Sequence, residues 1–359
     1  MTFAPIYDIL LLSRGEGNNL QGWRKWSAEV RTAHYNNPPK IFQKLLKNPL
    51  TNTYTYDIIS IPNEREVNKN QMSKNVLDLR KKYYLILDCE TATLPHANDF
   101  PPLVKKKICI AKPLIYDIGW QIVDRHNNIC IKRSFLVTEI FSVPSVFNTA
   151  YYAHKRPIYL EKLRNGEITL DCWENIVKLL IKDLNYTESV GAYNSMFDFK
   201  KAIGFTDEYM SHLYGTDYAE WEAKQNEYID YIASGGASGG LPSFNPDAFE
   251  FRANQYPLFD IWGLCCKYLL NNDEFRQTCK DNEWFTASGK YYSTTAETAY
   301  RYLFDNAEFE EKHTAIEDVE IESEIFHKIL EKTKNKFDMG IIYFPFKMIG
   351  EVPPNEIGD

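Results

Sequence analysis

An apolar run at residues 83–87 leads directly into the acidic tripeptide Asp88-Cys89-Glu90, and this junction constrains the fold more than any other feature of the chain. A run of β-forming residues that ends in acids is typical of a buried strand whose tip reaches a site. Residues two apart in a strand share a face. We therefore expect Asp88 and Glu90 to point the same way and Cys89 to point into the core.

Two neighbouring carboxylates resist joint ionisation unless a cation lies between them. Hard oxygen ligands at this spacing suit Mg²⁺ or Mn²⁺. An Asp-x-Glu sequence alone is weak support for a metal site, because a polar strand end has the same pattern. Residues elsewhere in the chain decide between the two interpretations.

Composition limits the classes of protein that fit. The 359 residues allow one elaborated domain or two. The net charge of -8 excludes a generally basic nucleic-acid coat, but a carboxylate cluster that holds divalent ions becomes a local positive centre. Seven scattered cysteines without C-x-x-C spacing indicate free thiols in a reducing compartment. With no signal-like or membrane-spanning segment, the sequence predicts a soluble, cytoplasmic protein with no membrane partner.

The first part of the chain carries no recognisable chemistry. Residues 1–80 are interpreted as an N-terminal extension, with a short helix at 20–30, a strand at 54–61 and a polar linker or loop at 62–74.

Strand and helix patterns alternate from residue 83 onward. Strands are predicted at 83–88, 115–124 and 129–137, and the tight turn at 125–128 indicates a hairpin. A long connection at 95–113 separates the first two strands, and a fourth strand is predicted at 189–194. Together these patterns predict an α/β fold with a mixed sheet flanked by helices on both sides. The predicted helices are 171–184 with Asp171 as N-cap, 197–203, 258–270, 295–304 capped by Thr294 or Thr295, and 313–332.

Two further motifs carry acidic or basic groups at element boundaries. Asp198 follows the strand at 189–194 and begins a helix. His313 precedes Asp318 by five residues, which is about 140° of rotation on a helix, so the two cannot share a face of one regular helix. We expect His313 on the loop or first turn and Asp318 one turn inside.

The three motifs are Asp88-Cys89-Glu90, the strand end followed by Asp198, and the pair His313 and Asp318. Their order and their places on strands and helices resemble those of the DEDDh family of 3′-to-5′ exonucleases, over roughly residues 83–332. The resemblance implies a ribonuclease H-like fold in an exonuclease domain at 81–335. It also implies an insertion at about 205–257, after the second motif, and leaves a C-terminal tail at 336–359. The segment around His313 is most similar to phage-encoded members, which implies the host cytoplasm.

The resemblance assigns a role to each motif residue. Asp88 would bridge two divalent ions, Mg²⁺ or Mn²⁺, and Glu90 and Asp318 would complete the first ion's shell. Asp198 would hold the second ion largely through water. His313 would be the general base that takes a proton from the attacking water.

Three residues match family positions that meet the substrate. Thr91 and Leu94 would contact the terminal nucleotide, through a backbone contact to the 3′-hydroxyl and a wedge against the last base. Asn194 matches a position near the substrate. Thr93 stands where the family usually has glycine, and this departure bears on the conformation of the turn.

The function implied by the resemblance is a metal-dependent exonuclease that releases 5′-mononucleotides from the 3′ end of single-stranded or frayed DNA. Proofreading or phage DNA replication is the implied setting, with a DNA polymerase or replication proteins as partners. An exoribonuclease of the same family remains an alternative, because discrimination at the 2′-hydroxyl depends on pocket contacts. A catalytically silent nucleic-acid-binding or polymerase-tethering module is another.

For the other polar and aromatic residues, a structural role is the first expectation. Asp198 has the alternative role of a helix N-cap, and Asp260 is expected to be a cap or a supporting residue. Glu317, Glu320, Glu322 and Glu324 are expected to line the solvated side of the last helix. The lysine runs (81–82, 105–107, 200–201) and the tyrosine pairs (151–152, 291–292) are expected on packed or solvated surfaces, with phosphate or base contacts as the alternative. The glycine-rich run at 234–240 is expected to be a flexible loop.

Overall fold

The computed structural model describes residues 82–236 and 256–353. The helix predicted at 20–30, the strand predicted at 54–61 and most of the glycine-rich run lie outside the described residues. Six strands form one sheet: β1 (Tyr83–Ala92), β2 (Leu114–Asp124), β3 (Ile129–Val137), β4 (Thr169–Asp171), β5 (Ser189–Ala192) and β6 (Leu258–Asp260).

The sheet is mixed, in the order β4-β3-β2-β1-β5-β6. Strands β1, β2 and β3 form an antiparallel meander. The pairs β1–β5, β5–β6 and β3–β4 are parallel. The predicted α/β fold with a mixed sheet flanked by helices is confirmed, and this arrangement is compatible with a ribonuclease H-like fold.

Helices fill the connections between the strands other than the β2–β3 hairpin. The wide-turned π-helical segment Met196–Ile203 directly precedes the α-helix Gly204–Leu213, and the π-helical segment Cys266–Leu270 directly follows the α-helix Ile261–Cys265. Short 3₁₀ segments lie at Pro95–Asp99, Ala153–Lys155 and Pro345–Met348. No helix in the described part of the chain is both long and apolar enough to cross a membrane. The α-helices are α1 (Pro102–Ala111), α2 (Thr138–Phe141), α3 (Pro144–Phe147), α4 (Arg156–Arg164), α5 (Trp173–Leu184), α6 (Gly204–Leu213), α7 (Tyr218–Ala233), α8 (Ile261–Cys265), α9 (Asp273–Asp281), α10 (Ala296–Leu303) and α11 (Ala315–Thr333).

Alternate residues of β1 contribute to two separate hydrophobic cores. Leu85 and Leu87 pack on the face covered by α5 and α6, whereas Ile86 packs on the face covered by α8 and α11. Each of these three side chains is fully buried, and such burial contributes about 1.5–3 kcal/mol per side chain. Cys89 belongs to the first core, as predicted. The face beneath α11 is therefore the face to which Asp88 and Glu90 belong.

The hairpin between β2 and β3 was predicted correctly. Asp124 Oδ1 accepts hydrogen bonds from the backbone amides of His126 and Asn128, at 2.9 and 3.1 Å. Asn127 has a left-handed backbone with φ of 58°, which asparagine tolerates better than most residues. The turn residues therefore determine both where β2 ends and where β3 begins.

Several predicted boundaries were wrong. Asp171 ends β4 and does not cap α5; the N-cap position is Cys172, and the Trp173 amide donates to Glu139. Residues 258–260 form β6 before the helix begins. The connection at 95–113 contains α1. The strands β4 and β6 are three residues each, too short to show a periodic pattern. All seven cysteines are free thiols, as expected.

Candidate metal centre

The tip of β1 presents its two acids toward α11. In the β1–β2 register, Asp88 lies opposite Gly119 and Glu90 lies opposite Asp117, and the pairing shifts by one residue directly after Glu90. Glu90 therefore has an acid as its cross-strand neighbour. Burial and the surrounding carboxylates raise the pKa of the Cys89 thiol on the opposite face, which makes this thiol unreactive.

The start of α11 lies over this strand tip. Gly119 makes the close approach possible, because a Cβ there would lie 2.7 Å from the backbone nitrogen of Ile316. Asp117 Oδ2 accepts a 2.9 Å hydrogen bond from the amide of Ala315, the first residue of the helix. The last helix is thus fixed to β2 by a backbone contact and by a carboxylate.

His313 and Asp318 occupy the positions that their spacing predicts. His313 precedes α11 with a left-handed backbone, φ 51°. Asp318 is one turn inside the helix and buried. One ligand atom from each of Glu90, His313 and Asp318 lies within 4.8 Å of the other two, a spacing that can hold a metal ion. The bend before the helix therefore brings the two residues to one site, as predicted.

Asp198 lies in the same region, close enough to Asp88 for the two carboxyls to influence each other. It lies in the π-helical segment Met196–Ile203 and is buried. The Cys89 backbone amide hydrogen-bonds to its carboxylate and lowers its pKa, but burial and the nearby Asp88 raise this pKa further. The N-cap position of this segment is Ser195. The interpretation of Asp198 as an N-cap is therefore wrong.

The acids of the cluster strongly favour their protonated forms in the absence of a cation. Burial, with Glu311 and Asp117 nearby, raises the pKa of Asp88 to about 8. Burial and Asp88 raise the pKa of Asp318 to about 10 and that of Glu90 well above its ordinary value. Carboxylates that repel one another in this way accommodate a cation readily.

Two oxygens in the cluster also lack hydrogen-bond partners. Asp198 Oδ1 and Asp318 Oδ1 are buried and unpaired among the described residues. A buried acceptor without a partner is costly, and hard divalent cations bind carboxylate oxygens. The carboxylate oxygens of this cluster therefore suit a divalent cation, and Glu90 and Asp318, together with His313, lie at a spacing that can hold one.

His313 is enclosed by aromatic and cationic side chains. Tyr152 stacks on the imidazole with ring centroids 4.4 Å apart and planes 15° apart. Lys155 Nζ lies 4.6 Å from the centroid of the Tyr152 ring and donates to the Lys312 carbonyl at 2.6 Å. Burial, together with Lys155, lowers the pKa of His313. The imidazole is therefore held mainly in its neutral form, which can accept a proton.

Three acids near the centre are not part of the predicted site: Asp117, Glu311 and Glu322. Glu322, expected on a solvated face, is buried, and its Oε2 accepts a 3.1 Å hydrogen bond from the amide of Tyr193. Burial and the neighbouring Asp88 raise its pKa. Its position four residues after Asp318 was an available signal, since such residues share a helix face.

The three other glutamates expected on the solvated side of α11 are partly exposed, and each has a partner. Glu317 pairs with Lys162 and Lys312. Glu320 pairs with Lys132, and Glu324 accepts from the hydroxyl of Tyr300. Of the four glutamates predicted to lie on the solvated side of the last helix, Glu322 is therefore the one that is fully buried.

The predicted substrate residues fall in different environments. Thr91 is half-buried beside Cys109. Leu94 is fully buried in the first core, so its side chain does not meet a base in this conformation. Thr93 has no left-handed backbone; its amide donates to Thr149 Oγ1 at 2.7 Å. The turn therefore does not require the glycine usual at position 93.

Asn194 and Asp260 lie at either side of the π-helical turn that carries Asp198. Asn194 is exposed, and its backbone carbonyl accepts from the Asp198 amide at 3.1 Å. Asp260 caps α8 through the Gly263 amide at 3.1 Å and also accepts from the Ser195 amide at 3.2 Å. The predicted capping role of Asp260 is confirmed.

The tyrosine pairs divide between packing and exposure. Tyr152 packs against His313, whereas Tyr151 is half exposed with Lys106 Nζ 4.4 Å from its ring centroid. Tyr292 is buried. Core packing therefore accounts for Tyr292 and packing on His313 for Tyr152, whereas the exposed face of Tyr151 remains available.

No protein-family model matches this chain, and no curated protein shows significant similarity to it, so the fold and the residues of this centre are the observations that bear on function.

Proposed function

We propose that this chain is a metal-dependent 3′-to-5′ exonuclease of the DEDDh type. One observation carries the proposal: acids from three distant segments converge with His313 at the tip of β1. Asp88 and Glu90 come from the central strand, Asp198 from the turn after β5, and Asp318 from α11. Repulsive carboxylates beside a neutral histidine are a reason to expect metal-assisted hydrolysis.

The four carboxylates would hold two divalent ions, Mg²⁺ or Mn²⁺. Such ions lower the pKa of bound water and stabilise both oxygens of an in-line displacement at phosphorus. In the proposed arrangement Asp88 would serve both ions, Glu90 and Asp318 would serve one, and Asp198 would serve the other. The unpaired oxygens of Asp198 and Asp318 support this assignment.

His313 would take the proton from the attacking water. Its lowered pKa keeps a large fraction of the imidazole unprotonated at neutral pH, as a general base requires. The stacked ring of Tyr152 limits the imidazole to small rotations about its present orientation. The proton leaves the water as the new P–O bond forms, and the leaving group is the 3′-oxygen of the preceding nucleotide.

The substrate in this proposal is the 3′ end of single-stranded or frayed DNA, in the host cytoplasm if the protein is phage-encoded. A DNA polymerase or other replication proteins are the proposed partners. Because the chemistry is the same on RNA, an exoribonuclease is the second candidate. A silent binding module is disfavoured by the presence of all four acids and the histidine.

A direct test is hydrolysis of end-labelled single-stranded DNA, duplex DNA and RNA with Mg²⁺ or Mn²⁺. We expect stepwise release of 5′-mononucleotides from single-stranded DNA. Asp88→Ala should reduce the rate by about three powers of ten or more, equivalent to about 4 kcal/mol of barrier. The exposed, paired acid Glu174 supplies the control, and Glu174→Gln should retain full activity.

Each other outcome has a defined meaning. Undiminished degradation by Asp88→Ala would show that this site does not carry the activity. No degradation of any substrate by the wild type would support the silent module. Faster degradation of RNA than of DNA would establish the exoribonuclease.

A further inference from the structure

We infer that Glu311 is a positioning residue for His313, so that the imidazole works as one half of a carboxylate–histidine pair. The inference rests on the proposed function for the role of His313 as a base. It adds a residue that none of the three sequence motifs contains, and its geometric basis is independent of any bound metal.

The carboxylate lies at the edge of the imidazole. Glu311 Oε2 is 3.8 Å from His313 Nδ1, and the Glu311 side chain is 14% exposed. Tyr152 covers one face of the same ring at 4.4 Å. A small rotation of the ring would bring Nδ1–H within hydrogen-bond range of Glu311, and catalytic hydrogen bonds commonly shorten when substrate binds.

The segment that carries Glu311 is itself anchored to α10. The Glu311 amide donates to Glu297 Oε2 at 3.1 Å. Arg301 pairs with the other oxygen of Glu297 at 2.8 Å and donates to the Phe309 carbonyl at 2.7 Å. Arg301 offsets the charge of Glu297, which would otherwise oppose the charge of Glu311. The segment that leads to His313 is thus held in place before α11 begins.

A carboxylate beside Nδ1 determines which nitrogen acts as the base. A proton held on Nδ1 by Glu311 leaves the lone pair on Nε2, free to take the proton from water. After that transfer both nitrogens carry protons, and the imidazolium lies beside the Glu311 carboxylate. The proton is transferred to Nε2 only, so it does not pass through Glu311.

The carboxylate–histidine pair is tested by steady-state kinetics of Glu311→Gln and Glu311→Asp. Glu310→Gln, at an exposed neighbouring position, is the control. Loss of such an orienting partner typically costs about 10–100-fold. We expect Glu311→Gln to lower kcat by that factor with little change in KM, Glu311→Asp to recover part of the loss, and Glu310→Gln to have no effect. Glu311→Gln should add no further loss to His313→Ala, because paired residues act as a unit.

A second measurement does not depend on activity. Long-range ¹H–¹⁵N NMR of the metal-free protein, with the His313 signals assigned by comparison with His313→Ala, reports which ring nitrogen carries the proton. We expect Nδ1–H in the wild type and a shift toward Nε2–H in Glu311→Gln. An unchanged tautomer together with additive losses would overturn the inference.

The remaining outcomes separate this inference from its alternatives. A weaker affinity of Glu311→Gln for Mn²⁺ by calorimetry, with an unchanged tautomer, would make Glu311 a metal ligand and would also overturn the inference. An inactive wild type whose tautomer responds to Glu311→Gln would refute the proposed function while the orienting contact stands.

Discussion

The two faces of β1 differ sharply although they belong to one strand. One face remains apolar to its end, from Leu85 and Leu87 to Cys89. The other changes from Ile86 to the acids Asp88 and Glu90 where α11 crosses Gly119. A single strand therefore supports a core and a charged centre at once, because alternate side chains point in opposite directions.

The sharpest test of this contrast compares the neighbours Glu90 and Cys89. Glu90→Gln should lower nuclease activity by about two to three powers of ten, or about 3–4 kcal/mol of barrier, because it removes a proposed ligand. Cys89→Ala should leave kcat within twofold but lower the free energy of unfolding by about 0.5–3 kcal/mol. Urea denaturation and steady-state kinetics on both variants would measure these effects. A large loss of kcat in Cys89→Ala would contradict the division between faces.

The close approach of α11 at Gly119 predicts the next largest effect. Gly119→Ala should cost about 1–3 kcal/mol of stability, because the new Cβ meets the helix backbone and not a movable side chain. It should also reduce activity, since the displaced helix start carries His313 and Asp318. Gly166→Ala is not a suitable control because of its positive φ. Ala307→Gly at an exposed loop position is a better control and should change neither stability nor activity appreciably.

The buried acids predict an unusual pH dependence of stability. The pKa of Asp88 is about 8 in the folded protein, against about 4 for an aspartate in an unfolded chain. As pH rises above about 4, the unfolded chain releases this proton first, so the free energy of unfolding of the metal-free protein should fall until about pH 8.

Melting temperatures in a chelator would measure this effect. They should decrease from pH 5 to pH 8, and Asp88→Asn should flatten the decrease. Added Mg²⁺ or Mn²⁺ should raise the Tm more at pH 8 than at pH 5, because protons compete with the metal for the carboxylates. A metal-free Tm that rises over this interval would contradict the described electrostatics.

The smallest effect is expected at Glu322, which lies beside the proposed ligands without being one of them. Glu322→Gln keeps an acceptor for the Tyr193 amide and removes one negative charge. The affinity for Mn²⁺ should therefore fall by about tenfold or less, while the Tm of the metal-free protein rises slightly at pH 8. Calorimetric titration would detect the change, and an affinity loss as large as that of Glu90→Gln would make Glu322 a ligand.

Local patterns predicted the parts of this centre that depend on neighbours in sequence. Alternation of side chains in β1 predicted that Asp88 and Cys89 point to opposite faces of the sheet. The angle of about 140° between His313 and Asp318 on a helix predicted that the chain bends before α11. The role of Asp117 could not be predicted, because it depends on the β1–β2 register that places this acid opposite Glu90. The role of Glu311 likewise depends on contacts with α10, a helix that carries none of the motif residues.

The bond between Asp117 and the Ala315 amide has a consequence for how a negatively charged strand could approach. The amino end of a helix usually attracts anions, but at α11 a carboxylate of the sheet already takes that place. Where the acids around it are ionised, they repel a nucleic-acid backbone further. If the proposed function holds, attraction of the phosphate backbone must come from bound cations and from side chains such as Lys155. The proposal then predicts that nucleic-acid binding requires divalent metal even when no hydrolysis takes place.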